Sequence, residues 1–254
     1  MELWSPEHVQ TLLPALAAMI VIAVVLRLTI GKKDLKIRMI PFQILACILF
    51  LIEIGKQIVS FEGGYDLYSI PLHFCSLFIF ALPLMAFYRG KHQNTVFEIV
   101  SVLCTAMTLL MLIYPALIYG SWNIKNYFEG FLDFHTVTFH NIVMFELILI
   151  LALDLHQPEK KMHIKPLMVV ILVFCVVSAS MAQILKTNYA NYYSCNIPPL
   201  EAVRVSLQGV LGYGLTQFLY VLIVSALNFG FVLLSAGLYK LLRKLLPSKQ
   251  TTAV

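Results

Sequence analysis

Cys75 and three histidines are the residues of this sequence whose types suit covalent chemistry. A thiol becomes a competent nucleophile when a neighbouring imidazole takes its proton. His73 lies two residues before Cys75, whereas His135 and His140 come from a later apolar stretch. On a regular helix, side chains two positions apart point in directions that differ by roughly 200°. His73 and Cys75 therefore face one pocket only if that turn is irregular.

Several other polar residues lie near these in the apolar parts of the chain. Glu53 and Lys56 are three residues apart and share a helix face, where they can neutralise each other. The same spacing describes a structural ion pair that orients a helix bundle. Gln183 and Asn188 come at the end of a later apolar stretch. A site built from these residues needs elements that bring distant parts of the chain together.

The composition identifies the class of protein that positions them. Of 254 residues, 60% are hydrophobic and 12% charged, and the mean hydropathy is +0.85. Soluble domains have about 45–50% apolar and roughly 25% charged residues. The five cysteines include no C-x-x-C pair, and their odd number argues against a disulfide framework. A soluble enzyme, a disordered chain and a disulfide scaffold are therefore excluded, and a polytopic membrane protein is predicted.

Seven apolar stretches have the length of a transmembrane helix, which needs about 20 residues. They predict an all-α bundle of seven transmembrane helices that forms one domain over residues 1–254. The predicted spans are Thr11–Ile30, Met39–Ser60, Ile70–Tyr88, Thr95–Leu117, Phe134–Leu155, Pro166–Leu185 and Gly212–Tyr239.

Basic residues predict the orientation of this bundle. Most of the 18 lysines and arginines fall in connections that share one side if the spans alternate. By the positive-inside rule, the N-terminus is outside and the C-terminus is cytoplasmic. The net charge of +5 then reflects topology rather than a nucleic-acid surface. We expect membrane phospholipids as partners and no nucleic acid.

With this topology, polar side chains from four spans lie at one depth in the outer leaflet. Ionisable residues inside spans are costly, so a layer of them predicts a functional site. The layer contains Glu53, Lys56, His73, Cys75, His135, His140, Gln183 and Asn188. Glu146 lies apart from it, near the middle of the membrane. The segment Glu201–Gly209 is expected to lie along the interface as an amphipathic turn or two.

The stretch YSIPLHFCSLFIF (Tyr68–Phe80) resembles the P-L-H-x-C signature of the YwaF-like bacterial integral membrane family, to which eukaryotic transmembrane protein 164 is similar. Further pieces are compatible in order and spacing with that family. They are EIGKQI (Glu53–Ile58), IYPALIYG (Ile113–Gly120), TFHNIVMF (Thr138–Phe145) and LKTNYANYY (Leu185–Tyr193).

The resemblance implies an activity, since the eukaryotic relatives are described as acyltransferases that move fatty acyl chains between phospholipids. Their cysteine nucleophile and histidine partner correspond to Cys75 and His140. Cys75 would take an acyl chain as a thioester, and His140 would then activate an acceptor hydroxyl. The resemblance implies no cofactor, and it places the protein in a bacterial cell membrane.

The other residues of the layer are then expected to bind substrate. His73 and Lys56 would hold a lipid phosphate or carbonyl, with Glu53 and His135 beside them. Asn188 or Gln183 would donate a hydrogen bond to the oxyanion.

Two other classes of function stay open at this point. A zinc-dependent lipid hydrolase would use His73, His135 and His140, with Glu53 or Cys75 as a further ligand. Against it, His135 and His140 are about 140° apart on a helix. A transporter would use Glu146 and the glycines of the last span. No polar ladder through the inner half of the bundle supports such a path.

Overall fold

The computed structural model describes residues 5–62, 64–115, 118, 127, 129–156, 158 and 162–246. All regular structure in these residues is helical. The longer helices are α1 (Pro6–Ile30), α3 (Ile40–Ser60), α5 (Gln93–Ile113), α6 (Phe131–Ala152), α7 (Ile164–Leu185) and α9 (Tyr213–Leu245). The shorter ones are α2 (Leu35–Arg38), α4 (Leu77–Phe87) and α8 (Pro198–Leu211).

Within the described part, six helices are long and apolar enough to cross a membrane, α2 and α3 counting as one. The protein is therefore a multi-pass membrane protein. These six helices agree with six of the predicted spans. The last one is longer than predicted and continues from Tyr239 to Leu245. The predicted end of the fourth span at Leu117 falls outside the described residues, as does most of the connection that follows it.

The third predicted span, Ile70–Tyr88, is wrong as a full-length helix. Its α-helical part, α4, has 11 residues. At about 1.5 Å per residue it is about 16 Å long, roughly half of a bilayer core. A 3₁₀ turn precedes it at Phe74–Ser76, and His73 before that turn is extended, with φ −83° and ψ 161°. Pro71 offers no backbone N–H for a longer helix.

Helices α5 and α6 form the centre of the bundle. α5 packs against α4, α6, α7 and α9, and α6 packs against α1, α3 and α5. Large side chains from neighbouring helices meet between them, and Phe42, Leu82 and Leu149 have no exposed surface. Because lipid is as apolar as these side chains, close packing stabilises the bundle more than removal from water does.

Three arginines converge on the carboxyl end of α6. Arg27 donates to the carbonyl of Ala152 at 2.8 Å, and Arg38 donates to the carbonyl of Leu153 at 2.9 Å. Arg243 pairs with the carboxylate of Asp154. The last carbonyls of a helix have no intrahelical partner and carry partial negative charge. These contacts therefore fix α1, α2 and α9 around one end of α6.

Near the other end of the bundle, α3 and α6 approach closely at Gly55. A Cβ atom at this position would lie 2.5 Å from the ring of Phe131. A glycine here lets the first turn of α6 pack against the turn of α3 that carries Glu53 and Lys56. The close approach thus places two charged side chains of α3 beside the beginning of α6.

Candidate active site

A cavity of about 810 Å³ lies at this end of the bundle. Its polar wall comes from α3, α6, the segment around the 3₁₀ turn at Phe74–Ser76 and the turn after α7. Seven of the eight predicted site residues line it: Glu53, Lys56, His73, Cys75, His135, His140 and Asn188. Gln183 is the exception, since it lines a separate groove between α7 and α9 and donates to the carbonyl of Tyr192 at 2.9 Å.

The irregular turn before α4 brings His73 and Cys75 to the same cavity. A regular helix would point them in different directions, but His73 is extended and Cys75 belongs to the 3₁₀ turn. The Nε2 of His73 donates to the carbonyl of Tyr68 at 3.2 Å. Its ring packs against the rings of Tyr68 and Tyr189, with centroids 4.4 and 5.5 Å away.

His140 has the hydrogen bonding of a general base. Its Nδ1 lies 2.6 Å from the carbonyl oxygen of Thr136, one turn earlier in α6. A carbonyl only accepts, so Nδ1 carries the proton and the lone pair of the neutral ring is on Nε2. Cys75 is partly buried and supplies a thiol to the same cavity.

Glu53 is the centre of a buried polar cluster. Its carboxylate accepts from Lys56 at 2.7 Å, from Gln57 at 2.8 Å and from the Nε2 of His135 at 2.9 Å. Tyr65 donates to the amide oxygen of Gln57 at 2.6 Å. The cluster joins α3 to α6, and the partner of His135 could not be found from sequence spacing.

Asn188 holds the turn that follows α7. Its side-chain oxygen accepts from the backbone N–H groups of Tyr193 and Ser194, at 3.2 and 3.1 Å. Its amide nitrogen donates to Asn196 at 3.0 Å. The Asn188 side chain therefore stabilises the turn through these bonds. The geometry gives no support to the predicted role of Asn188 as a donor to the oxyanion.

The amphipathic segment is a full helix rather than a turn or two. α8 has 14 residues, none of them buried, and packs against α9. Leu200, Val203 and Leu207 line the cavity from one face of α8.

Arg204 ties α8 to α9 and was not predicted as a site residue. It pairs with Glu201 at 2.5 and 2.8 Å and donates to Gln217 of α9 at 2.8 Å. The guanidinium of Arg204 lowers the pKa of the Glu201 carboxyl, and a hydrogen bond from the Cys195 N–H acts in the same direction. The only signal in the sequence was the spacing of three residues between opposite charges.

The apolar part of the cavity follows α9 for a long distance. Its lining begins at Thr216 and reaches Phe231, with Met107 of α5 facing the same space. Fifteen residues of helix rise about 22 Å. One leaflet contributes about 15 Å of hydrocarbon, half of the bilayer core. The groove is thus longer than the hydrocarbon part of one leaflet.

A metal centre has no matching set of ligands here. Among the residues that the structure describes, no three His, Cys, Asp or Glu side chains form a group that could hold a metal ion. Within the described residues, the zinc-hydrolase alternative therefore has no group of three ligands.

Comparison with protein families supports the resemblance seen in the signature around Cys75. A family model described as the TMEM164 family matches residues 3–234. The chain belongs to the TMEM164 family. In this TMEM164 family member, the matched range includes the whole cavity lining. No curated protein and no solved structure matches the chain.

Glu146 of this TMEM164 family member lies away from the cavity. It has no exposed surface, and neither carboxyl oxygen has a hydrogen-bond partner among the described residues. An ionised carboxylate without a partner is strongly disfavoured in such a place. The mid-membrane position predicted for Glu146 is thus in the protein core and not on a polar path.

Proposed function

We propose that this protein moves a fatty acyl chain from a phospholipid to a lipid acceptor through a thioester on Cys75. The observation that carries the proposal is a single cavity with a thiol and a base-type histidine at its polar end and a long apolar groove beyond them. Membership of the TMEM164 family agrees with a membrane-embedded activity.

The first step forms the acyl-enzyme. The Nε2 of His140 takes the proton of the Cys75 thiol, and the thiolate attacks the ester carbonyl of the donor phospholipid. The new C–S bond replaces the ester C–O bond. His140 returns its proton to the leaving alkoxide, which departs as the hydroxyl of a lysophospholipid.

The second step releases the chain. A hydroxyl of the acceptor attacks the thioester, the C–O bond forms and the C–S bond breaks, and Cys75 regains its proton. Water as acceptor would give a lipase reaction at the same site. Lys56 and His73 line the polar end, where a phosphate or ester carbonyl of the lipid would lie.

The proposed location is the outer leaflet of a bacterial cell membrane. The basic connections favour an orientation in which the cavity opens on the outer side. Ester carbonyls of phospholipids lie at the boundary between head groups and acyl chains, the depth proposed for Cys75. Membrane phospholipids are then both donor and acceptor.

The test is intact-mass spectrometry of the purified protein after incubation with a phospholipid of known chains. We expect a fatty-acyl mass increment that hydroxylamine removes and that Cys75→Ala lacks. The matched control is Cys47→Ala, because Cys47 is an exposed thiol of α3 outside the cavity. Peptide mapping separates an adduct on Cys75 from one on Cys195, which also lines the cavity.

Negative outcomes are also informative. Absence of an adduct in wild type and in His140→Ala, together with absence of acyl transfer, would overturn the proposal. Unmodified protein that contains stoichiometric zinc would favour the hydrolase. Unmodified protein without metal would favour a transport role, although the groove lining ends at Met107 and Phe231.

A further inference from the structure

The cavity contains a second candidate base, His135, whose partner differs from that of His140. The Nε2 of His135 lies 2.9 Å from the Glu53 carboxylate, so it donates and leaves the lone pair of the neutral ring on Nδ1. Both side chains are buried, with 7% and 6% of their surface exposed. Both also line the cavity that holds Cys75.

The carboxylate of Glu53 is held in place by its own helix. Lys56 and Gln57 donate to it from the next turn of α3, at 2.7 and 2.8 Å. Gln57 is fixed in turn by Tyr65 and by a 2.9 Å bond to the carbonyl of Ser69. A carboxylate with this many donors keeps its orientation toward His135, as the third member of a triad does.

The two histidines therefore suit different protons. His140 donates to a neutral carbonyl, whereas His135 donates to a carboxylate that also accepts from Lys56 and Gln57. A hydrogen bond to an ionised acceptor is the stronger of the two. A free thiol has a pKa of about 8.5, whereas the pKa of a hydroxyl group such as that of water is much higher. An acceptor hydroxyl is thus much harder to deprotonate than Cys75, and its base needs the stronger support.

We propose that His135, oriented by Glu53, is the general base of the second half-reaction. The inference rests on the proposed thioester at Cys75. Nδ1 of His135 takes the proton of the acceptor hydroxyl as its oxygen attacks the thioester carbonyl. The C–O bond forms, the C–S bond breaks, and His135 delivers the proton to the Cys75 thiolate. Glu53 is a positioning residue that acts through His135.

The experiment separates the two half-reactions in full-length protein reconstituted in phosphatidylcholine vesicles with isotope-labelled acyl chains. Thioester on Cys75 is measured by intact mass. Transfer is measured as labelled product formed from added monoacylglycerol, an acceptor that differs from the lysophospholipid released in the first half-reaction. The variants are His135→Gln and Glu53→Gln. Their controls are His92→Gln and Glu62→Gln, exposed residues that do not line the cavity.

We expect both variants to form the thioester at close to the wild-type rate and to accumulate it. Loss of a general base lowers the rate of the step that it catalyses by about 100-fold or more. The rate of transfer should therefore fall by that factor. Hydroxylamine is itself a strong nucleophile and should release the accumulated chain. The two control variants should transfer as the wild type does.

Parallel loss of acylation and transfer would overturn the inference and assign the Glu53–His135 pair to the packing of α3 on α6. Thermal unfolding shows whether His135→Gln folds. If it does not, the thioester and transfer measurements on Glu53→Gln test the inference, because glutamine keeps the size of the side chain and one acceptor oxygen. Failure of the proposed function is distinguishable, since wild-type protein would then show neither thioester nor transfer.

Discussion

The ring of His73 meets the ring of Tyr189 edge-on, with 5.5 Å between the centroids. This contact joins the segment that carries Cys75 to the turn after α7. Two hydrogen bonds reinforce it: the hydroxyl of Tyr189 donates to the carbonyl of Leu67, and Ser178 of α7 donates to the carbonyl of Leu72 at 2.8 Å. The position of the thiol therefore depends on α7 as well as on its own helix.

Tyr189→Phe should loosen the Cys75 segment. The change removes the bond to Leu67 and keeps the ring contact with His73. A hydrogen bond contributes about 0.5–1.5 kcal/mol to stability, so the thermal unfolding midpoint in detergent should fall slightly. The rate of maleimide labelling at Cys75 should rise. Tyr213→Phe is the control, since Tyr213 is 55% exposed on α9. Equal labelling rates in the two variants would show that Tyr189 does not hold the segment.

Phe231→Ala should change the preferred length of the acyl chain. Phe231 is the last residue of α9 that lines the groove, and its truncation lengthens the apolar space. We expect a shift in preference toward donors with longer chains, measured by competition between phospholipids in one vesicle. Phe218→Ala serves as the control because Phe218 is 60% exposed and lies outside the cavity. An unchanged preference would place the end of the chain elsewhere.

The attachment of α8 to α9 should weaken at acid pH. Arg204 holds the pKa of the Glu201 carboxyl below its usual value, which is about 4.3 in unfolded chains. Because the pKa of Glu201 is lower in the folded state, its stabilising contribution is complete at pH values above the unfolded-state pKa. The contribution disappears as the pH falls through the folded-state pKa. Hydrogen exchange of residues 198–211, corrected for its intrinsic pH dependence, should rise below about pH 4.

Glu201→Gln tests the origin of this pH dependence. The variant lacks the titrating carboxylate, so its exchange in α8 should be raised at neutral pH and should change little on acidification. A transition of wild-type size in Glu201→Gln would assign the acid sensitivity to another group.

Arg243→Met should destabilise the opposite end of the bundle. Arg243 is 3% exposed and pairs with Asp154, and removing one partner of a buried ion pair costs about 3–5 kcal/mol. Unfolding in detergent should show a large decrease in stability. Lys244→Met is the matched control because Lys244 is exposed on the same turn of α9. The double variant Arg243→Met with Asp154→Asn should lose less stability than the sum of the losses in the two single variants.

Hydropathy predicted the long helices because a run of about 20 apolar residues has few alternatives to a membrane-spanning helix. It failed at Ile70–Tyr88, where the composition is equally apolar. The deciding features there are local: Pro71 lacks an N–H, and His73 is extended because Tyr68 holds its ring. A hydropathy pattern does not report such conformations.

A shared expected depth was the reason for grouping Glu53, His73, Cys75 and His140, and all four line one cavity. Depth gives no information on direction around a helix, and Gln183 accordingly faces a different groove. The bond between Glu53 and His135 joins distant parts of the chain, so sequence spacing could not reveal it.

The exposed position of α8 makes it an outer wall of the cavity. Gly212, with φ at 77°, joins α8 to α9 in a backbone conformation that other residues rarely adopt. α8 has no buried residue, and its face away from the cavity carries Val205 and Val210, which are 51% and 80% exposed. Leu200 and Val203 line the cavity from the other face. A wall with apolar side chains on both faces offers the cavity and the surrounding lipid the same kind of surface.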